Sequence, residues 1–355
     1  MTLAVNILTA ATVDPRQSIA AGMVVGLADF AAGRGSDKAA LLHLAGLPAD
    51  QATDPNRRVA LARYAAMLRQ AARDCDDPAL AIHFSESTNF ADLSIVGLIG
   101  YAAETMIDAF DQLNRFGRLV TDISITGRQR FTLETEADGL WLIDHRIDAP
   151  PFPELTESTF VRMVAGTRQF GVTPFASRAE VTHENRGTGT ALARALYAPV
   201  RFGAARNALR VSAEWQQHRI ALYPRYAFGL FCAHADRLLA ALDVAKPVSG
   251  QVERAVLPVL HTGAVSAEAV ARQLGLSGQG LYRALRAEDT TFEELLAALR
   301  HRFAQGYLSS GRASLNEIAY LLGYSDVSAF ARAFKRREGV APGAWRRKVI
   351  TSADD

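Results

Sequence analysis

The sequence predicts an α+β N-terminal domain followed by an all-α domain with two helix-turn-helix units joined by a linker helix. Three observations predict it. Apolar spacing alternates between helical and strand-like periods up to about residue 245 and is helical throughout after it. The run Lys246-Pro247-Val248-Ser249-Gly250 interrupts the chain where that change occurs. Beyond it one short pattern occurs twice, with its glycines at Gly275 and Gly323. The expected segments are 1–246, 251–348 and a tail, 349–355.

The 355 residues are 49% hydrophobic and 21% charged, with a formal net charge of +2, which suits two globular cores. Residues 251–348 hold 14 Lys and Arg against 9 Asp and Glu, whereas 1–250 hold 25 against 26. A modestly basic segment on a near-neutral body fits nucleic-acid binding, although ordinary domains share that balance. Cys75 and Cys232 are too distant for a CxxC motif and are expected as buried free thiols. Met1–Pro15 has no basic start and is broken by Asn6 and Asp14, so it does not read as a secretory signal. Residues 19–32, interrupted by Asp29, and 95–103 fall short of the ~18–20 apolar residues a membrane helix needs. A cytoplasmic chain without a membrane partner is expected.

Residues 15–120 read as mostly helical. Asp54-Pro55-Asn56 is a helix-start signal, followed by Val59, Leu61, Tyr64, Ala65, Leu68 and Ala72 at largely helical spacing. Thr105 is placed to cap a helix reaching about Arg118, with Ile107, Phe110, Leu113 and Phe116 as its buried stripe. Alternation over Thr121–Thr135, the turn pair Asp138-Gly139 and alternation over Leu140–Ile147 predict a β-hairpin. A helix over Glu154–Phe170, strands over Ala176–His183 and Val200–Val211, a short helix near Thr190–Tyr197 and a helix over Tyr226–Leu242 complete this half.

The repeat has the frame Ala-x-x-Leu-Gly-Φ-Ser, a short gap, then Φ-x-Arg-x-Φ-(Arg/Lys), where Φ is apolar. It runs from Ala271 to Arg286 and again from Ala319 to Lys335, with one extra residue after the serine of the second copy. Ser266 and Ser314 sit where N-caps belong, and Ser314 with Glu317 forms a capping box. Gly275 and Gly323 reverse the chain through positive φ, and Ser277 or Ser325 then starts the next helix. Two helices about a glycine turn make a helix-turn-helix whose second helix can enter a major groove. Leu281 and Leu285, or Phe330 and Phe334, are four apart and pack inward, leaving Arg283 and Arg332 outside. The rival reading is a plain helical hairpin of a solenoid, which needs three or more repeats to close a core. Thr291–Leu308 reads as one helix, ~25 Å long, with Phe292, Leu295, Leu296, Leu299, Phe303 and Leu308 buried.

At Ile318-Ala319, Gly323-Tyr324, Phe330, Arg332, Phe334-Lys335, Gly339, Pro342 and Arg346, the chain resembles the AraC family of bacterial transcription regulators. The resemblance covers about Gln251–Lys348. It departs at Arg337, where tryptophan is common, and at Gly306, where alanine is usual; Gly306 costs the linker helix about 1 kcal/mol. Residues 15–225 resemble the effector-binding N-terminal domain of one branch, through Asp54–Ala72, Gly97–Asp122 and Val200–Asn207. That domain differs from the cupin-like barrel of the arabinose-sensing members.

The resemblance implies base contacts from Gln279, Tyr282 and Arg283 in the first unit and from Val327, Ser328, Ala331 and Arg332 in the second. Arg pairs bidentately with guanine, Gln pairs with adenine, and Val or Ala touches only a thymine methyl. Lys335 and Arg336 suit phosphate. Double-stranded DNA is the expected partner, with RNA polymerase and a second copy of the chain as further candidates. Trp141, His145, Arg162 and His183 are candidates for lining an effector pocket, and the effector is not named. No catalytic residue, metal ligand or cofactor is expected: GxSxG, HExxH and P-loop motifs are absent, and Gly187-Thr188-Gly189 is too short for a dinucleotide fingerprint. Two alternatives remain open, a catalytic module fused to a DNA-binding tail and a nucleoid protein without sequence choice.

Overall fold

The structure is a computed structural model whose described residues are 17–48, 51–125, 129–147, 152–220, 224–244, 247–310 and 313–347. The readings made on Met1–Pro15, on Lys246 and on the tail 349–355 lie outside them.

From residue 18 the chain runs through β1 (Ser18–Ala20), α1 (Ala21–Ala32), α2 (Lys38–Ala45), β2 (Arg58–Ala60), α3 (Leu61–Asp74), α4 (Leu80–Ser87), α5 (Phe90–Leu93), α6 (Ile95–Ala102) and α7 (Met106–Phe116). Helices dominate, as expected. The Asp54-Pro55-Asn56 signal makes a turn instead of a helix start: Asp54 Oδ1 accepts from the Asn56 N–H at 2.9 Å. The helix begins only after β2. Thr105 caps α7 as expected, in a capping box with Asp108.

The alternation beginning at Thr121 belongs to two sheets. β3 (Thr121–Asp122) joins β1 and β2 in a small antiparallel sheet ordered β2-β1-β3. Arg58 ties it together, donating from Nη2 to the Ser18 carbonyl at 2.8 Å and from Nη1 to the Leu119 carbonyl at 2.5 Å. The predicted hairpin is β4 (Phe131–Glu136) and β5 (Gly139–Asp144), with Glu136 opposite Gly139. After it come α8 (Pro153–Gln169), β6 (Ala176–Glu180), α9 (Gly189–Leu196), β7 (Val200–Arg201) and β8 (Asn207–Val211). The sheet order is β4-β5-β8-β6-β7, antiparallel except for the β6/β7 pair. Val200–Val211 is therefore two strands, broken at Gly203, where φ is +63°.

Alternation along β5 divides its neighbours. Leu142 joins Phe160, Val164 and Leu209 in the core under α8, while Trp141, Ile143 and Ala208 pack together on the other face. α10 (Arg225–Val244) lays Ala235 against Val96, Ile99, Phe116 and Leu119. Cys75 and Cys232 are unbridged but only half-buried, with burial raising both thiols above their ordinary range.

The C-terminal segment is helical: α11 (Val248–Val256), α12 (Ala267–Gln273), α13 (Gly278–Arg286), α14 (Phe292–Ser310), α15 (Leu315–Leu321) and α16 (Val327–Glu338). One apolar cluster holds the whole segment, with Leu281, Leu285, Leu299, Phe303, Ile318, Phe330 and Phe334 buried in it. Ile147, just beyond β5, is buried in the same cluster. A carboxylate fixes the start of α11, where Glu288 accepts from the Val248 and Ser249 N–H groups at 2.6 and 3.0 Å.

Candidate DNA interface and effector cavity

Each helix-turn-helix is assembled by local chemistry. Ser266 Oγ accepts from the Ala269 N–H at 3.1 Å and starts α12. Gly275 turns the chain at φ +70°, and Ser277 Oγ accepts from the Gly280 N–H at 3.0 Å to start α13. In the second unit Ser314 and Glu317 form the expected capping box on α15, and Gly323 turns at φ +67°. The cap of α16 corrects the sequence reading: Asp326, not Ser325, accepts from the Ala329 N–H, at 2.7 Å. That bond holds the Asp326 carboxyl below its ordinary range. The extra residue of the second copy shifts the cap by one, and Ser325 Oγ instead donates to Asp326 Oδ2 at 3.1 Å.

The two glycines do different work. A Cβ at Gly275 would meet open space, so only its backbone conformation requires glycine. A Cβ at Gly323 would overlap the Leu260 carbonyl oxygen and come within 2.9 Å of Gly263 Cα. Backbone against backbone is how the second unit seats on the turn ahead of α12.

Gln279, Tyr282 and Arg283 are exposed on α13, over the buried pair Leu281 and Leu285. Ser328 and Arg332 are exposed on α16, whereas Val327 and Ala331 are half-buried and Val327 packs against the core. Lys335 and Arg336 are exposed in the last turn of α16. The arrangement presents an arginine-bearing helix from each unit. Sequence reasoning overlooked Arg286: its Nε donates to the Tyr282 hydroxyl at 3.3 Å, and its guanidinium sits 5.6 Å from that ring centre. The i,i+4 spacing from Tyr282 was the available signal. α14 is tied to α11 through Arg302 Nη2 to Glu253 at 2.9 Å and to the second unit through His301 Nε2 with Glu338 at 2.8 Å. Arg346 donates to the Ala313 carbonyl at 2.7 Å and so closes the segment on itself.

The N-terminal half holds a partly open cavity of about 200 Å³. α8 forms one wall through Ser158, Thr159, Arg162, Met163 and Gly166, and α3, α6, α7 and the β4/β5 hairpin contribute further lining, together with Ile19, Met23, Phe90, Thr121, Phe175 and Trp215. Most of the lining is apolar or aromatic, including Tyr64, Phe110, Phe131, Phe170, Phe175 and Trp215. Of the four sequence candidates, Arg162 lines it and the other three do not. Trp141 is on the opposite face of the sheet, donating to Asp138 at 2.8 Å between the guanidinium groups of Arg178 and Arg206. His145 shares a hydrogen bond with Thr132 at 2.7 Å. His183 is buried, with Nδ1 2.9 Å from the Glu184 carbonyl oxygen and Nε2 3.9 Å from Glu157. Among the described residues no group of three His, Cys, Asp or Glu is arranged for a metal, and no helix is long and apolar enough to cross a membrane.

Comparison with known proteins bears on both halves. Residues 35–220 match the model of the arabinose-binding domain of AraC transcription regulators, N-terminal. Residues 270–348 match a helix-turn-helix domain. The HTH-type transcriptional regulator VirS of Mycobacterium tuberculosis is 28% identical over 312 residues, 81% of this chain and 84% of that protein. The ornithine utilization regulator of Pseudomonas aeruginosa is 38% identical over 111 residues, 31% of this chain and 32% of its own length. Among solved structures, the transcriptional regulator CdpR from Pseudomonas aeruginosa aligns with a TM-score of 0.35 at 22% identity, covering 79% of this chain and 90% of that one. The N-terminal match spans more than half of the chain and the two arginine-bearing units follow it, so the chain belongs to the AraC family of sequence-specific, DNA-binding transcription regulators.

Proposed function

We propose that segment 1–246 is an effector-binding and dimerisation domain that controls a DNA reader, 251–348. The observation that carries this is the pairing of a largely apolar cavity in one segment with two exposed arginine-bearing helices in the other. Arg283 and Arg332 read guanine edges, assisted by Gln279, Tyr282 and Ser328, while Val327 and Ala331, half-buried, reach only a thymine methyl. Lys335, Arg336 and the exposed Arg286 bind phosphate. Tyr226, Leu230 and Val244 are exposed along α10 at helical spacing, an apolar stripe that supports pairing with a second copy. RNA polymerase is the further partner at a promoter, and the reading places the chain in the cytoplasm with the chromosome. It requires no catalytic step.

An effector acts by binding more tightly to one of two arrangements of the reader. The test is to sequence genomic fragments retained by the full chain and measure affinity for the recovered site. A site bound at least about 10³-fold more tightly than random DNA is expected. Equal affinity for both would replace this reading with that of a nucleoid protein.

A further inference from the structure

The cavity contains a guanidinium without a counter-charge. Arg162 Nη2 donates to Ser85 Oγ at 3.1 Å, and the guanidinium carbon lies 5.4 Å from the ring centres of both Phe84 and Phe90. Its Nη1 is buried with no hydrogen-bond partner. The other lining arginine, Arg130, is neutralised by Asp144, with contacts at 3.0 and 2.9 Å. No Asp or Glu lines the cavity among the described residues. Burial lowers the pKa of Arg162 only to about 10, so it stays charged at neutral pH. Burial raises the pKa of the Tyr64 hydroxyl in the same wall to about 12, leaving it a neutral donor.

An unpaired charge in an apolar site is costly, and an Arg–carboxylate pair is among the strong hydrogen-bonded contacts. A volume of about 200 Å³ exceeds the ~150 Å³ that holds benzene. Polar side chains such as Thr88, Ser158, Thr159 and Gln169 also line it, but apolar ones outnumber them, so an apolar body is matched better than a free sugar, whose every hydroxyl needs a polar partner.

We propose that the cavity takes a small apolar carboxylate, an aromatic or short aliphatic acid, with its carboxylate on Arg162 and its body among Leu142, Met163, Phe110 and Phe170. The proposal rests on the effector reading and names its ligand class.

The test titrates the full chain with benzoate, phenylacetate and octanoate, and with benzyl alcohol, octanol and L-arabinose. Binding is read by tryptophan fluorescence, since Trp215 lines the cavity, and by thermal shift. The acids are expected to bind in preference to the neutral compounds. Arg162→Met is expected to weaken the acids at least about tenfold while leaving the alcohols unchanged. Arg162→Lys, which keeps the charge, should recover part of the loss, and thermal denaturation of each variant checks its folding. Neutral compounds or arabinose binding in place of the acids would overturn the carboxylate assignment and leave the effector reading standing. Acid binding unchanged in Arg162→Met would do the same. An acid that binds through Arg162 yet leaves the affinity for the recovered DNA site unaltered would uphold the ligand class and overturn the effector reading.

Discussion

Arg300 of the linker helix donates to the carbonyl oxygen of Gly323, from Nη2 at 3.1 Å, and its Nε donates to the neighbouring Leu322 carbonyl at 2.8 Å. The end of α15 exposes carbonyls that α16 cannot satisfy, and this guanidinium satisfies two of them. Its carbon also lies 5.0 Å from the Tyr324 ring centre. The second reading unit is thus fastened to the linker at its turn.

Arg300→Ala is expected to destabilise the chain by about 1–3 kcal/mol in denaturant unfolding and to weaken DNA binding. Arg300→Lys should recover only part, since an ammonium cannot reproduce the two-pronged geometry. Equal stability of all three proteins would show that the turn holds itself.

The two turn glycines should separate under substitution. Gly275→Ala forces an L-residue into the left-handed region with no collision, a cost of about 1–2 kcal/mol. Gly323→Ala adds overlap with Leu260 and should cost clearly more, detectable as a lower denaturation midpoint. Similar midpoints would remove the close backbone approach from the account.

Arg332→Ala should lose about 1–3 kcal/mol of specific binding and relax preference at one base position. Arg336→Ala should weaken all sequences alike and flatten the salt slope by about one unit. Titrations on matched and mutated sites at several salt concentrations distinguish the two.

Glu157 gives a pH dependence of stability. It is buried against Thr188, whose hydroxyl donates to it at 2.8 Å, and burial raises its pKa from 4.5 to about 7. The folded state therefore binds this proton more tightly than the unfolded state. Its stabilising contribution is complete below about pH 4.5 and is lost as pH rises through about 7, a change on the order of 3 kcal/mol. Glu157→Gln should flatten the stability profile over that window and stabilise the chain near pH 8. An unchanged profile would refute the assignment.

The reader was legible because its determinants are local. A positive-φ glycine, a capping serine and two apolar residues four apart are each visible within a few positions. The reading failed at the α16 cap, where one inserted residue changed which side chain reached the N–H group. The cavity was hard to read for two reasons. Its walls come from helices and strands far apart in sequence, and its lining residues have the same periodicity as ordinary core. Trp141 and His145 attracted attention by their chemistry, but strand parity turns Trp141 away and faces Leu142 to the cavity. Arg162 is one of four charged residues of α8, and it is set between the apolar Val161 and Met163. Thr121 pairs with Ile19, about a hundred residues earlier, and no local pattern reports that.

Leu142 in the cavity wall and Ile147 in the reader's core lie five positions apart on one run of chain. At about 3.3 Å per residue, no more than some 17 Å of backbone separates the cavity wall from the apolar core on which the reader's helices are built. Cutting the reader free would remove that isoleucine and bare the apolar surface it covers. The N-terminal half therefore completes the reader's apolar core as well as holding the cavity.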